Sequence, residues 1–185
     1  MSAKVVLASS SPRRREILTE MGVDFEVCPS DADESSVNES SPKRLVKELS
    51  RLKALPVSAS HKDSVVVGAD TIVVKGGKIY GKPLTEERAV EMIKELRGAW
   101  HFVFTGVTVA KGEKHTTFVV KSKVKFKPLT DEQIVEYVRA FKPLDKAGAY
   151  GIQDEEIVRE YRGSYTNIVG LPKEKLAKTL AKYGV

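Results

Sequence analysis

The chain has 185 residues, 41% hydrophobic and 30% charged, with 31 lysines and arginines against 25 acidic residues for a formal net charge of +6. That length supports one domain that buries about 70% of its unfolded surface without staples, and the single cysteine, Cys28, excludes an internal disulfide. No run approaches the roughly 20 apolar residues that span a bilayer, and the four apolar residues at 5–8 do not make a signal peptide, so the expectation is a cytoplasmic protein without a membrane partner, whose positive excess suits an anionic ligand.

Residues 5–8 form a short apolar run of the kind found in buried strands. Ser9-Ser10-Ser11 follows, and Ser11-Pro12 reads as an N-cap with proline at the first helical position. Ile17, Leu18 and Met21 recur at helical spacing, and Gly22 is placed to end the helix. Arg13, Arg14 and Arg15 crowd its first turn, where the macrodipole is already positive and acidic residues are preferred. Either this is a solvated basic helix start, or free N–H groups, hydroxyls and guanidinium forks together hold a phosphate. A strand at 24–27 leads to a polar loop at 29–41 containing Asp31, Asp33, Glu34 and Glu39; loops that long are often functional. Ser41-Pro42 repeats the cap-then-proline start and opens a helix to about residue 55, with Leu45, Leu49 and Leu52 as its core stripe. Pro56 and Ser58-Ala59-Ser60 read as a linker.

The valines at 65–67 predict a strand ending in Gly68-Ala69-Asp70-Thr71, and residues 72–74, Gly76-Gly77 and Ile79-Tyr80 predict a hairpin. Gly81-Lys82-Pro83 precedes a helix opened by Leu84 and Thr85, with Ala89, Met92, Ile93 and Leu96 on one face and Gly98 at its end. Residues 101–110 and 115–127 alternate as an antiparallel pair, turning near Gly112. In the second strand Phe118, Val120, Ser122, Val124 and Phe126 share one face, and Lys121, Lys123, Lys125 and Lys127 share the other. The lysine row reads as a charged solvent face that blunts sheet association. Exposed aromatics are not interleaved along that strand, so no nucleic-acid partner is expected. Thr130 to Gln133 form a capping box, with Leu129 and Ile134 as its staple, for a helix to about residue 141. Residues 143–153 are rich in glycine and alanine, residues 154–165 carry no clear pattern, and Leu171-Pro172 opens a last helix with Leu176, Leu180 and Tyr183. The order predicts a mixed, partly antiparallel α/β sheet flanked by helices.

Asp70 follows the valine run through Gly68 and is expected at a strand's carboxyl end, where α/β sheets place ligands. A turn aspartate bonding its own backbone is the competing reading. Lys53, Lys82 and the acidic pair Asp33-Glu34 mean little singly. Together with Asp70 they outline two carboxylates for a divalent ion and several cations for phosphates; magnesium takes one or two carboxylates plus waters and substrate oxygens. No zinc spacing, P-loop, Gly-x-Gly-x-x-Gly or Gly-x-Ser-x-Gly motif is present.

Ser9-Ser10-Ser11-Pro12-Arg13-Arg14, Gly68-Ala69-Asp70-Thr71, Gly81-Lys82-Pro83, Ala147-Gly148-Ala149-Tyr150-Gly151-Ile152-Gln153 and Val169-Gly170-Leu171-Pro172 resemble, in order and spacing, the successive motifs of the Maf family of septum formation inhibitor-like nucleotide pyrophosphatases. The resemblance spans nearly the whole chain, so residues 1–185 are expected to form one such domain. It implies a fold similar to the inosine triphosphate pyrophosphatases, with a central cleft, and a homodimer. It also implies cleavage of a nucleoside triphosphate between the α- and β-phosphates, giving monophosphate and pyrophosphate. Carried over by residue, the proton acceptor falls on Asp70, and the phosphate and metal residues on Ser9, Arg13, Arg14, Glu34, Lys53 and Lys82. Glu34 and Asp70 are the implied ligands of Mg2+ or Mn2+. Residues 154–161 lack the glycine that relatives tend to carry there.

Within the family, one group takes thymidine and uridine triphosphates and has arginine after the motif proline, threonine after the aspartate and glutamine after Gly-Ile. Arg13, Thr71 and Gln153 match it. Another group takes 7-methylguanosine triphosphate and has tryptophan after the proline; the only tryptophan here is Trp100. The implied substrates are therefore dTTP and UTP, with removal of unwanted or modified nucleotides, and a link to cell division arrest, as expected roles. The alternatives are another base preference, such as 7-methyl-GTP, and a non-catalytic nucleotide-binding regulator of septum formation.

Overall fold

In the computed structural model, which describes residues 4–185, Val5-Val6-Leu7 and the valines at 65–67 pair in parallel within a seven-stranded mixed sheet. These residues are buried on both faces of the sheet, as parallel strands are when helices cover both sides. Strands β1 (Val5–Leu7), β2 (Phe25–Val27) and β3 (Val65–Lys75) form the parallel part. Strands β4 (Lys78–Tyr80), β5 (Trp100–Lys111), β6 (Lys114–Phe126) and β7 (Val158–Arg162) add antiparallel pairs. The order is β2-β1-β3-β5-β6-β7, with β4 on the far end of β3. The β3–β4 hairpin turns on Gly76 and Gly77, both at positive φ, as a two-residue hairpin turn requires.

Helix α2 (Pro42–Ser60) covers one face of the sheet. The opposite face carries two cores. Helices α3 (Glu86–Leu96) and α4 (Asp131–Phe141) bury Ile93, Leu96, Ile134 and Val138 against Val103, Val124 and Phe126. Helices α1 (Pro12–Glu20) and α6 (Lys173–Leu180) bury Leu18, Leu176 and Leu180 against Val67, Val107 and Phe118. The short α5 (Tyr165–Val169) lies between them. The capping box at Thr130 and Gln133 is formed as expected.

Four local expectations are corrected. β3 is one continuous 11-residue strand, so Asp70 lies mid-strand and not at a strand end; pairing with β5 continues through Asp70 opposite Gly106 and leaves no break there. Helix α2 runs on to Ser60 with Pro56 inside it. A mid-helix proline costs about 3 kcal/mol, and the burial of Ala54 and Val57 against the sheet on either side offsets it. The helix also faces the sheet through Val46, Leu49, Ser50, Ala54 and Val57, whereas Leu45 and Leu52 are only half-buried. Ser11 stands at the N-cap of α1 but its side chain makes no cap bond; its N–H donates instead to Ser9 Oγ at 3.2 Å. Residues 154–165, which lacked a pattern, form a turn, β7 and the start of α5.

Candidate active site

β1 stops level with Val67, whereas β3 continues to Lys75. Past that point one edge of β3 has no parallel neighbour, and the chain leaves β1 as the Ser9-Ser10-Ser11 turn. A cavity of about 720 Å³ opens there. Its lining includes the 9–14 segment, Glu34, Lys53, Asp70, Thr71, Lys82, Asp145, Lys146 and Gln153. Ser9, Arg13, Arg14, Glu34, Lys53, Asp70, Thr71, Lys82 and Gln153 thus line one cleft, whereas Asp33 does not. Asp70 reaches it from mid-strand because its neighbour strand has ended.

Successive strand residues point to opposite faces, and Asp70 and Thr71 meet different partners accordingly. Asp70 turns toward α2. Lys53 Nζ donates to Asp70 Oδ1 at 2.6 Å and lies 3.1 Å from Glu34 Oε1. Lys53 gets this close because α2 lies almost on the sheet backbone. A Cβ at Gly68 would fall 2.8 Å from Ala54 Cβ, and one at Gly106 would overlap the Val46 carbonyl. Glu34 opens a single 3-10 turn, Glu34–Ser36, capped by Asp33, whose Oδ1 accepts the Ser35 N–H at 3.0 Å. The neighbouring acids thus divide their work: Asp33 shapes the turn and Glu34 faces Lys53.

Thr71 turns the other way, toward α1. Arg14 donates from Nε to the Gly170 carbonyl at 3.0 Å, from one terminal nitrogen to Ser9 Oγ at 3.1 Å and from the other to Thr71 Oγ1 at 3.3 Å. Thr71 Oγ1 is also 3.0 Å from Thr105 Oγ1, which donates to the Asn167 carbonyl. Burial lowers the Arg14 pKa; the Asp70 carboxylate opposes this and Arg13 adds to it. Arg14 uses three of its five N–H groups on the protein and so braces the serine turn as well as charging it.

Arg13 reaches across the cleft mouth. It donates to Asp145 Oδ2 at 2.9 Å and to the Asp145 carbonyl at 3.4 Å. Burial raises the Asp145 pKa, but the Arg13 hydrogen bond and charge, with Lys146, hold the carboxyl below the ordinary carboxylate range. Lys82 lines the cleft from the segment between β4 and α3. Gln153 folds over Gly151, where a Cβ would fall 2.5 Å from its Nε2. That loop is anchored by the buried Asp154, which accepts the Gly151 N–H at 2.7 Å and the Tyr137 hydroxyl at 2.5 Å. Asp154 thus builds the turn that follows the 147–153 motif.

Sequence reasoning singles out neither Asp145, Lys146, Asp154 nor Thr105. Their only local signal is proximity to the 147–153 motif, and Thr105 has none. Trp100 is absent from the cleft lining. Among the described residues, no group of three or more His, Cys, Asp or Glu side chains gathers as a metal cage. Instead two carboxylates, Asp70 and Glu34, converge on a single ammonium. Two carboxylates sharing one cation, open to a ligand's oxygens, fit the donor set that Mg2+ or Mn2+ takes beside a phosphate. The cleft as a whole can neutralise a polyanion, and it presents a carboxylate positioned to accept a proton.

The family model described as Maf-like protein matches residues 4–183. The chain is 44% identical over 188 residues to a dTTP/UTP pyrophosphatase of Syntrophus aciditrophicus (strain SB), covering 100% of this chain and 92% of that protein. It is 46% identical over 175 residues to a dTTP/UTP pyrophosphatase of Thermosipho africanus (strain TCF52B), covering 94% and 90%. Among solved structures it resembles a HAM1 protein from Coxiella burnetii with a TM-score of 0.50 at 13% identity, over 97% of this chain and 99% of that one. This last likeness is one of fold, a mixed α/β sheet flanked by helices.

Proposed function

Because the chain belongs to the family of Maf-like proteins, we propose that its cleft hydrolyses dTTP and UTP to the nucleoside monophosphate and pyrophosphate. The observation that carries this reading is the joining of Asp70, Lys53 and Glu34 on one side of the cleft, opposite a serine turn flanked by Arg13 and Arg14. A triphosphate bears about four negative charges, which explains arginines at a helix start that otherwise disfavours them. Lys53 engages Asp70 Oδ1, leaving Oδ2 to accept the proton of a water attacking the α-phosphorus. The bridging oxygen then leaves with pyrophosphate, and no covalent nucleophile is needed. Arg13, Lys82 and Ser9 hold phosphate oxygens, and Arg14 keeps Ser9 in place. Bound Mg2+ or Mn2+ would be held by Asp70 and Glu34 and would neutralise charge on the phosphate oxygens.

Base choice rests on Gln153. Its amide offers a donor and an acceptor, the complement of O4 and N3–H on uracil and thymine, and Gly151 and Asp154 hold its loop. A site that depends on such contacts rejects a mismatched base because its polar partners go unpaired.

The test is a panel of canonical and modified nucleoside triphosphates incubated with Mg2+ or Mn2+, with products resolved. dTTP and UTP should lead dCTP, ATP, GTP and 7-methyl-GTP, yielding monophosphate and pyrophosphate, and chelation should abolish turnover. Gln153→Ala should erode the base preference more than it slows the best substrate. Diphosphate and orthophosphate as products, or equal cleavage of all bases, would refute the assignment.

A further inference from the structure

The cleft leaves one charged surface unexplained. On the side of the sheet that α2 covers, the helix reaches only as far as the Val46, Ile72 and Phe104 cluster. Past Phe104, this face of the sheet carries Trp100 and Phe102 on β5 beside Lys121, Lys123 and Lys125 on β6. The register sets Phe104 opposite Lys121, Phe102 opposite Lys123 and Trp100 opposite Lys125, with Arg162 of β7 opposite Lys123. Phe102 is 36% exposed. Lys121 Nζ stands 3.7 Å from the centre of the Phe102 ring, Lys123 Nζ 4.5 Å from that of Trp100, and the Arg162 guanidinium 5.4 Å from Trp100. The face is therefore a row of flat rings on one strand beside a row of cations on the next. The only acid in register with it is Glu160, opposite Lys125.

We propose that this face binds single-stranded nucleic acid: the phosphates draw Lys121, Lys123, Lys125 and Arg162 off the rings, and bases stack on the faces of Phe102 and Trp100 so uncovered. Cationic tracks beside aromatic platforms are how sequence-tolerant single-strand sites work. A second copy docked on this face would set lysine row against lysine row, and like charges so juxtaposed are disfavoured. An anionic bilayer would use the lysines, but insertion requires apolar side chains projecting beyond the cations, and here the cations lie over the rings. The site is separate from the cleft and does not depend on the activity proposed for it.

Trp100 is the only tryptophan in the chain, so its fluorescence reports on this face alone. The full-length protein is titrated with 5′-hydroxyl oligothymidylate and oligouridylate of twelve nucleotides, which offer the cleft no triphosphate. Binding should quench Trp100 and weaken steeply with salt, by about 0.7 log units of affinity per log unit of salt for each phosphate neutralised. Phe102→Ala and Lys123→Glu should each weaken binding about tenfold while leaving triphosphate hydrolysis and the folded circular dichroism spectrum unchanged. Asp70→Asn should leave oligonucleotide binding intact. Four results would overturn the proposal: no quenching with no anisotropy change on a labelled oligonucleotide; equal quenching by inorganic polyphosphate or phosphatidylserine vesicles; competition by dTTP; or a dimer in sedimentation that Phe102→Ala dissociates.

Discussion

Lys53 stands 2.6 Å from Asp70 and 3.1 Å from Glu34, so the character of the site turns on one carboxylate held by one ammonium. Asparagine at position 70 can still accept from Lys53 but cannot take a proton. Asp70→Asn should therefore lower kcat by on the order of 10²-fold or more with the urea unfolding midpoint nearly unchanged. Near-normal turnover would move the base elsewhere, Glu34 first. His101 offers a second test at this scale. Its imidazole is buried beside Tyr150, whose hydroxyl is 2.9 Å from Nε2. Burial, with some help from Lys75, pushes its pKa down to about 3. The folded state thus holds the ring neutral while the unfolded chain protonates it near the ordinary value of about 6.5. Between those values the unfolded state binds the extra proton, so stability rises with pH and is lost as pH falls from about 6.5 toward 3. The loss approaches about 1.4 kcal/mol per pH unit. Urea unfolding of the wild type and His101→Gln from pH 7 to pH 4.5 should show this slope in the difference between them.

At the scale of elements, α2 does more than cover the sheet. It sets the distance between Lys53 and Asp70 by resting on Gly68 and Gly106. Gly106→Ala drives a methyl into the Val46 carbonyl and must lift the helix. Overpacking of this kind costs roughly 1–3 kcal/mol, and here it should also lower kcat by drawing Lys53 off Asp70, although residue 106 lies outside the cleft lining. A variant less stable but equally active would uncouple the helix from the site. The same contact explains why the apparent end of α2 near Pro56 is not its end. Proline is a local signal, whereas the burial of Ala54 and Val57 that overrides it depends on a strand distant in sequence.

For the whole molecule, the Arg13–Asp145 pair spans the cleft mouth, joining α1 to the segment after α4. In the proposed reaction a triphosphate competes with this carboxylate for Arg13. The pair is part-exposed, at 27% and 60% of the two side chains, so it is worth at most about 1 kcal/mol. Asp145→Asn, which removes the competitor, should lower KM for dTTP by up to about fivefold with kcat little changed. A raised KM would mean that Asp145 orders Arg13 for the substrate instead. The basic face on β5 and β6 belongs to this scale too. Along β6 alone the lysines alternate with buried residues, and no aromatic of that strand shares their face; the aromatics on it come from the neighbouring strand.

The sequence by itself determined the local grammar: the proline-started helices, the capping box at Thr130, the Gly76-Gly77 hairpin, the alternation of β6 and the motif residues that line the cleft. Each of these depends on contacts within a few residues or on a one-dimensional pattern. Only the tertiary structure decided that Asp70 is mid-strand, accessible because β1 ends beside it. It likewise assigned Arg14 to brace the serine turn, brought Asp145 to the cleft and made Asp154 the anchor of the Gln153 loop. These outcomes depend on where strands stop relative to their neighbours and on how closely a helix can approach a sheet. Such relations join residues far apart in the chain and leave no periodicity along it.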